Sequence, residues 1–240
     1  MLSPLLVHAL DWLYPPLCTL CGAALRGGCH LCADCAGRLP RQGKNACRRC
    51  GQNFDGPLSA PESCPNCRQE DQFFNFATAA LRSSDEAIQL IHEFKLLKRP
   101  ELGPDLARLA GPVFTSDQRL RDLDDPLLIP VPLHRTRLRE RRFNQAEVLA
   151  TALARDLGLR SLSALARVRA TQRQATLTRR ERLKNLRKAF HLRNSPIPLE
   201  GRALILIDDV FTTGSTAREC ARVLRKARPS HLAVLTIVRA

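Results

Sequence analysis

Four Cys-x-x-Cys pairs near the start of the chain constrain this sequence more than any other feature. The pairs are Cys18 with Cys21, Cys32 with Cys35, Cys47 with Cys50, and Cys64 with Cys67. In a reducing compartment, cysteines at this spacing are more typical of metal ligands than of disulfides. Zn²⁺ prefers four sulfur or nitrogen donors in a tetrahedron, so the sequence predicts two structural zinc sites with four thiolates each.

Sequential pairing of the four motifs closes the shorter loops, because ten residues separate the first two pairs and thirteen separate the last two. We therefore expect Cys18, Cys21, Cys32 and Cys35 to share one ion and the remaining four cysteines to share the other. Interleaved pairing is the alternative, and Cys29 is an alternative ligand to Cys32. A closed four-thiolate site leaves no open coordination position, which favours a structural role over catalysis. A docking surface for nucleic acid or protein is the alternative role for this module.

The remainder of the chain alternates apolar runs with amphipathic helical patterns. Runs typical of buried strands occupy 76–81, 127–131, 203–207 and 232–238, and helical patterns occupy 85–97, 102–114, 144–157 and 216–227. Continuous apolar strands separated by helices indicate an α/β fold with a mostly parallel sheet flanked by helices. We expect residues 1–72 to form an N-terminal helix and the zinc module, and residues 73–240 to form the α/β domain.

The composition argues against disordered, fibrous and membrane-spanning classes. Of the 240 residues, 44% are hydrophobic and 25% are charged, which is enough apolar side chain for a core. His8 and Asp11 interrupt the most apolar N-terminal stretch, so no run approaches the roughly 18 residues of a membrane span. The same stretch lacks a basic region and a small-residue cleavage site, which argues against a secretory signal. We expect a cytoplasmic protein.

The segment LILIDDVFTTGST, Leu204 to Thr216, joins a predicted strand to a predicted helix. A Gly-containing turn that opens a helix directs backbone N–H groups and the positive end of the helix dipole at an anion. Gly214 permits a positive φ there. Four side chains add hydroxyl donors, namely Thr212, Thr213, Ser215 and Thr216. The segment therefore predicts a phosphate site. Asp208 and Asp209 would repel a bare phosphate, so we expect them to face hydroxyl groups or hydrated Mg²⁺.

The same segment resembles the 5-phosphoribosyl diphosphate (PRPP) signature of type I phosphoribosyltransferases, which has a hydrophobic run, two acids, two further residues and TTGST. The resemblance implies that Asp208 and Asp209 are the catalytic residues and bind the ribose hydroxyls of PRPP. It also implies that residues 212–216, including Gly214, hold the 5-phosphate. The alternative is a strand, a turn and a capped helix that bind no ligand.

Two further segments resemble the ComF family (ComFC or GntX-like), whose members join a double zinc ribbon to a phosphoribosyltransferase domain. They are IPVPLHRTRLRERRFNQAEVL at 129–149 and LARVRATQRQATLTRRERLKNLRKAF at 165–190. The resemblance implies a hood over the site at 169–185. It also implies a pyrophosphate-contacting loop, made of Val131, Pro132, Leu133, His134, Arg135 and Arg137. The chain departs from the family at Arg142, where glycine is usual, and at Ala175 and Thr176, where Thr-Gly is usual.

Positive charge is concentrated in one part of the chain. Residues 135–193 contain 17 basic and 4 acidic residues, so +13 of the net charge of +15 lies there. This concentration favours binding of a diphosphate ester or of a nucleic-acid backbone, and a solvated charge run is the alternative. We expect nucleic-acid contacts at Arg179, Arg180, Arg182 and Lys184. Phe143 and Phe190 are the only aromatic residues of this part, which argues against strong recognition by base stacking.

Two functions are consistent with these patterns. The first is a Mg²⁺-dependent transfer of phosphoribose from PRPP to an unidentified acceptor with release of pyrophosphate, for which Lys95, Lys98 and His134 are candidate general bases. The second is a non-catalytic single-stranded DNA-binding competence factor that retains a PRPP pocket. In both cases the ComF resemblance implies a role in competence, DNA uptake and transformation or the use of DNA as a nutrient, with competence proteins as partners.

Overall fold

The structure is a computed structural model, and it describes residues 15–43, 45–54, 64–68, 71–170 and 186–240. Most of the predicted hood, 171–185, lies outside the described residues. So do the four predicted nucleic-acid contacts, Arg179, Arg180, Arg182 and Lys184. Within the described ranges, no helix is both long enough and apolar enough to cross a membrane.

A five-stranded sheet forms the centre of the α/β part. Its strands are β1 (Phe76–Arg82), β2 (Leu127–Pro130), β3 (Arg160–Ser161), β6 (Ala203–Phe211) and β7 (His231–Arg239). Their order in the sheet is β1-β7-β6-β2-β3, and every neighbouring pair is parallel. Two short strands, β4 (Leu165–Arg167) and β5 (Phe190–Leu192), form a separate antiparallel pair. The predicted mostly parallel sheet is therefore confirmed.

Nine α-helices occur in the described ranges. They are α1 (Ala33–Arg38), α2 (Pro65–Arg68), α3 (Asp85–Lys95), α4 (Gly103–Ala110), α5 (Val113–Ser116), α6 (Gln118–Arg121), α7 (Arg135–Arg141), α8 (Gln145–Leu157) and α9 (Ser215–Leu224). Short 3₁₀ turns occupy Pro100–Leu102 and Arg225–Ala227. Helix α3 begins where the hydroxyl of Ser84 accepts a hydrogen bond from Ala87 N, and α8 ends at Gly158, which has a φ of 68°.

Alternate residues of β6 face two separate cores, as the period of a strand requires. Ile205 and Ile207 pack in one core with side chains of α3, α4 and α8. Leu204 and Leu206 pack in the other core with side chains of α9, including the buried Cys220. Burial of each such side chain stabilises the fold by roughly 1.5–3 kcal/mol. The helices therefore cover both faces of the sheet.

The cysteine module packs against both of these cores. Cys18 and Cys35 lie in the core on the α3, α4 and α8 face, and Cys47 and Cys50 lie in the core on the α9 face. The segment between them follows the outer edge of β1, where Gln42 N donates to Ala80 O at 3.1 Å and Arg82 N donates to Pro40 O at 2.8 Å. The boundary between residues 72 and 73 stays a prediction.

Several elements differ from the sequence predictions, and strands β3, β4 and β5 and helices α1, α2 and α6 were not predicted. The helix predicted at 102–114 stops at Ala110 and resumes at Val113, because Pro112 has no N–H for a continuous helix. The strand predicted to end at 207 continues to Phe211, since Asp208 and Phe211 still pair with Thr236 and Arg239 of β7. Helix α7 was not predicted. The sequence RTRLRER has no apolar face to indicate it.

Candidate functional site

The eight predicted cysteine ligands form two tetrads with the expected sequential pairing. The first tetrad is Cys18, Cys21, Cys32 and Cys35, and the second is Cys47, Cys50, Cys64 and Cys67. Within each tetrad the sulfur atoms lie within 4.8 Å of one another. The Sγ atoms of Cys21 and Cys32 are 3.8 Å apart, and those of Cys50 and Cys64 are 3.6 Å apart. A tetrahedral zinc ion with bonds of ~2.3 Å would separate its sulfur ligands by about 3.8 Å.

This arrangement fits two zinc sites, and the backbone around it favours thiolates. Cys32 N donates to Cys18 Sγ at 3.4 Å, and Cys64 N donates to Cys47 Sγ at 3.3 Å. Cys29 is not a member of either tetrad, so it does not replace Cys32. Its Sγ lies 3.9 Å from the carbonyl oxygen of Gly27 and accepts from Arg108 Nη1 at 3.4 Å.

The loop between β6 and α9 has the geometry predicted for a phosphate site. Gly214 precedes the first residue of α9 in the left-handed conformation, with a φ of 74°. A Cβ atom at this position would lie 2.6 Å from a ring carbon of Phe211, so only glycine fits without displacement. The hydroxyls of Thr213 and Ser215 are 2.8 Å apart. The N-cap residue Gly214 has no side chain to cap the helix, and a helix start of this kind suits an anion.

A cleft of about 590 Å³ lies beside this loop. Three acids line it, Asp208 and Asp209 of β6 and Glu140 of α7, and so do the hydroxyl residues Thr212 and Thr216. Its basic lining residues are Lys95, Lys98, Arg137, Arg141 and Arg167. Apolar side chains complete the wall, among them Ile88, Ile91, Leu96, Val131 and Leu133. The cleft therefore joins opposite charges to hydroxyl donors at the carboxyl end of the central strand, where parallel sheets place their ligands.

The two adjacent acids of β6, Asp208 and Asp209, differ in their surroundings. Asp209 is 4% exposed, and its Oδ2 forms an ion pair with Lys95 Nζ at 2.6 Å. Asp208 Oδ1 accepts a hydrogen bond from Asp209 N at 2.9 Å. Burial raises the pKa of Asp208 to about 6, against the opposing charges of Lys95 and Arg167. Burial also lowers the pKa of Lys95 to about 8, although Asp208 opposes this shift. Near neutral pH both groups are therefore charged.

Three arginines line the same cleft. Arg137 and Arg141 lie on α7, and Arg167 ends β4. Burial lowers the pKa of Arg167, and the charges of Arg137 and Arg141 lower it further. Such crowding of positive charge raises the energy of the empty site and favours an anion with several charges.

The start and end of α7 account for two predicted positions. His134 caps the helix, because its Nδ1 accepts from Thr136 N at 3.3 Å and lies 2.8 Å from Thr136 Oγ1. Arg142 ends the helix in the left-handed conformation with a φ of 71°. A left-handed residue other than glycine costs roughly 1–2 kcal/mol. Glycine adopts this conformation without that cost.

Comparison with known proteins places the chain in a family. Residues 9–68 match the model of the double zinc ribbon domain. A protein of Escherichia coli O6:H1 named DNA utilization protein YhgH is 35% identical over 216 residues, which cover 88% of this chain and 91% of that protein. Competence protein F of Haemophilus influenzae is 30% identical over 222 residues, covering 90% and 95%. The chain belongs to the ComF family.

Similarity to solved structures is partial. A hypoxanthine phosphoribosyltransferase of Staphylococcus aureus aligns with a TM-score of 0.34 at 14% sequence identity, and the alignment covers 58% of this ComF-family chain and 64% of that chain.

The structure brings together only some of the predicted site residues. Those that line the cleft are Val131, Leu133, Arg137, Asp208, Asp209, Thr212 and Thr216. Thr213 lines a smaller cavity behind the loop. Among the described residues that line the cleft, Pro132, His134, Arg135, Gly214 and Ser215 are not found. Pro132, His134 and Gly214 lie in the flanking loops, and Arg135 and Ser215 are the first residues of α7 and α9.

The sequence analysis missed Arg141 and Arg167 and treated Lys95 only as a candidate base. Arg141 follows Arg137 by four residues, which places both on one face of a helix once α7 is recognised. Arg167 and Lys95 come from elements distant in sequence, and no spacing signal connects them to Asp208. Only the folded sheet brings these charges to one cleft.

Proposed function

We propose that this ComF-family protein binds PRPP with Mg²⁺ in the cleft and transfers the phosphoribosyl group to an acceptor with release of pyrophosphate. One observation carries the proposal, the meeting of a glycine-containing helix start, two acids and three arginines around a single cleft. PRPP offers a phosphate to the helix start, ribose hydroxyls to the two acids and a diphosphate to the three arginines.

Each part of the cleft then has a role toward the ligand. Residues 212–216 bind the 5-phosphate through backbone N–H groups and hydroxyls. Asp208 and Asp209 accept hydrogen bonds from the ribose hydroxyls, and Lys95 holds Asp209 in place through its ion pair. The carboxylate of Asp208 also suits hydrated Mg²⁺, which when bound offsets the charge of the diphosphate.

In the transfer, a bond forms between the acceptor nucleophile and C1 of the ribose while the bond from C1 to the pyrophosphate oxygen breaks. The acceptor loses its proton, and pyrophosphate leaves with the electron pair. Arg137, Arg141 and Arg167 stabilise the negative charge that develops on the leaving group. The fixed loop and arginines position the donor, so most of the acceleration comes from orientation and electrostatics.

Isothermal titration of the zinc-loaded protein with PRPP, with and without Mg²⁺, tests this proposal. We expect magnesium-dependent binding that falls at least a hundredfold in the Asp208→Asn/Asp209→Asn variant. Asp125→Asn is a matched control, because Asp125 is an acid on the surface outside the cleft, paired with Arg160 and Arg202. Equal binding by the double variant and the wild type would contradict the assignment. Release of pyrophosphate in the presence of candidate acceptors then tests transfer.

A second candidate function, contact with single-stranded DNA, is favoured by the exposed side of α7. Arg135, Arg139 and Arg142 are exposed there, while Arg137 and Arg141 face the cleft. Relatives named for DNA utilization and competence agree with this direction. We propose that the exposed arginines follow the phosphate backbone, together with Arg179, Arg180, Arg182 and Lys184.

The salt dependence of DNA affinity tests this second function. Replacing Arg135, Arg139 and Arg142 by glutamine should reduce the slope of log K against log salt by about 0.7 for each lost contact with a single strand. Arg228→Gln is the control, because Arg228 is an exposed arginine on another part of the surface. An unchanged slope in the triple variant would contradict a role for α7 in DNA contact.

A further inference from the structure

Arg239, the last residue of β7, connects the second cysteine tetrad to the phosphate loop. Its side chain is buried, and its Nε donates to the carbonyl oxygen of Cys50 at 3.2 Å. Its Nη2 donates to Gln52 Oε1 at 2.6 Å. On the other side, its Nη1 donates to the carbonyl oxygens of Phe211 and Thr212, both at 2.9 Å. One guanidinium therefore contacts a zinc ligand residue and the first residues of the loop.

The contact extends to the glycine of the loop. The guanidinium of Arg239 lies over the ring of Phe211, 4.8 Å from its centroid. The same ring lies directly beneath Gly214, where it fills the space of a Cβ atom. Phe74 packs edge-to-face against this ring, with the centroids 6.1 Å apart. A shift of Arg239 therefore moves the surface on which the phosphate loop rests.

The charge of Arg239 makes this contact sensitive to the tetrad. The four acceptors named above are neutral amide oxygens, and a buried charge needs such partners to offset its lost hydration. Two of them, Cys50 O and Gln52 Oε1, belong to the turn that the second tetrad organises. If zinc leaves that tetrad and the turn moves, the guanidinium loses these two partners and must adjust its contacts with the loop.

A cavity of about 180 Å³ lies between the tetrad and the loop, lined by Cys50, Cys67, Gln52, Thr212, Thr213 and Arg239 among others. The first tetrad has different neighbours. His30 N there donates to Asp105 Oδ2 at 2.8 Å, and Thr19 O accepts from Gln89 Nε2 at 3.4 Å, both in contacts with α3 and α4. Among the described residues, the contacts with the loop therefore come from the side of the second tetrad.

We infer that Arg239 is a positioning residue that couples the second tetrad to the phosphate loop, so that zinc there and an anion at the loop strengthen each other's binding. The inference rests on the proposed function for the ligand of the loop. Linkage requires the effect to be reciprocal, since zinc that favours PRPP binding is itself retained more tightly when PRPP is bound.

The test uses the full-length protein loaded with two zinc ions. Zinc release to a chelating dye is measured with and without PRPP and Mg²⁺, and PRPP affinity is measured by titration. We expect PRPP to slow release of one of the two ions at least fivefold in the wild type and to have no such effect in Arg239→Met. We expect Arg239→Met to weaken PRPP binding at least tenfold while both ions stay bound, with partial recovery in Arg239→Lys.

Arg119→Met is the matched control. Arg119, on α6, also donates to a backbone carbonyl beside the second tetrad, that of Arg48, and lies over the ring of Phe76. These contacts do not involve the loop. Arg119→Met should keep the effect of PRPP on zinc release. If Arg239→Met fails to fold, Gln52→Ala removes one of the two acceptors beside the second tetrad and should weaken the coupling in the same direction.

The outcomes separate the inference from the proposed function. Wild-type protein that binds PRPP with no effect on zinc release, or an Arg239→Met variant with unchanged PRPP affinity, would overturn the coupling alone. Wild-type protein that binds no PRPP would contradict the proposed function. Hydrogen exchange of residues 209–216 then decides the coupling, because the loop should exchange at least tenfold faster in zinc-loaded Arg239→Met than in zinc-loaded wild type. Equal exchange would overturn it.

Discussion

The two cysteine tetrads have the same ligands but different surroundings. In the first tetrad Cys21 is exposed and Cys32 is half-buried, whereas all four cysteines of the second tetrad are buried. The first packs against the face of the sheet covered by α3, α4 and α8, and the second packs against the α9 face. Repeating one metal motif therefore produces an outer attachment on one face and a support beneath the phosphate loop on the other.

The largest effect is expected when one cysteine ligand is removed from either tetrad, and the two tetrads should respond differently. Cys47→Ser and Cys21→Ser should each reduce the zinc content from two ions to one. We expect Cys47→Ser to lower the melting temperature by at least about 10 °C, because a structural zinc site contributes folding free energy directly and this one lies inside a core. Cys21→Ser should lower it by about half as much, since its tetrad borders solvent. Calorimetry with metal analysis measures both, and equal shifts would contradict the comparison.

The attachment of the first ribbon depends on Asp105. This buried carboxylate of α4 accepts from His30 N at 2.8 Å and pairs with Arg108 Nη1 at 2.6 Å. Asp105→Ala leaves the N–H of His30 without its acceptor, so we expect a loss of about 2 kcal/mol in the free energy of unfolding. Thermal unfolding should show this as roughly 4–8 °C. Both zinc ions should remain bound.

Arg108→Ala provides the control for Asp105→Ala. The Arg108 side chain is 51% exposed, so solvent screens its pair with the buried Asp105, and Arg108→Ala leaves the acceptor of His30 N in place. We therefore expect a smaller loss of stability from Arg108→Ala than from Asp105→Ala. A loss from Arg108→Ala as large as that from Asp105→Ala would mean that the ion pair, and not the contact with His30, holds the first ribbon.

The support beneath the loop is tested by comparing two glycines. Gly214 and Gly158 have φ values of 74° and 68°, so an alanine costs a similar backbone strain of about 1 kcal/mol at either position. At Gly214 the added Cβ also meets Phe211 at 2.6 Å, whereas at Gly158 it meets no atom within 4 Å in the described part of the chain. Gly214→Ala should therefore lose PRPP affinity, which titration measures, and Gly158→Ala should lose only stability. Equal affinity in both variants would contradict the role of Phe211.

The comparison of regions also explains what the sequence could predict. The tetrads were predictable because each pair is local and zinc fixes the rest of the geometry. The phosphate loop was predictable because Gly214 and the hydroxyl residues are contiguous. The exclusion of Cys29 from the tetrads was not predictable, because its spacing permits ligation and only the fold places its sulfur beside Arg108.

Residues that contact elements distant in sequence have no local sequence pattern that predicts those contacts. Arg239 is a single arginine at the end of a strand, and its partners lie in a ribbon almost 190 positions earlier. Arg167 and Lys95 line the same cleft as Asp208, although β4, α3 and β6 are distant in sequence. The broken helix at 102–114 is different, because Gly111 and Pro112 were visible in the sequence and the apolar periodicity concealed their effect.

The smallest expected effect is a pH dependence of PRPP binding. The pKa of Asp208 is raised to about 6, so the carboxylate is ionised above that pH and takes up a proton below it. If the ionised form binds the ligand, affinity should be lost as the pH falls through 6, by about tenfold for each further unit. PRPP has titrating phosphates of its own, so this loss of affinity at low pH, the acid limb of the profile, does not by itself identify Asp208.

The Lys95→Gln variant distinguishes titration of Asp208 from titration of the PRPP phosphates. The ammonium of Lys95 lowers the pKa of Asp208 against the effect of burial, so its removal should raise that pKa and move the acid limb to higher pH. The phosphates of PRPP are the same in both experiments and cannot move the limb. A uniform loss of affinity at every pH would reflect only the lost ion pair with Asp209, and an unmoved limb would assign the titration to the ligand. A limb that moves upward places the titrating carboxylate within the field of Lys95.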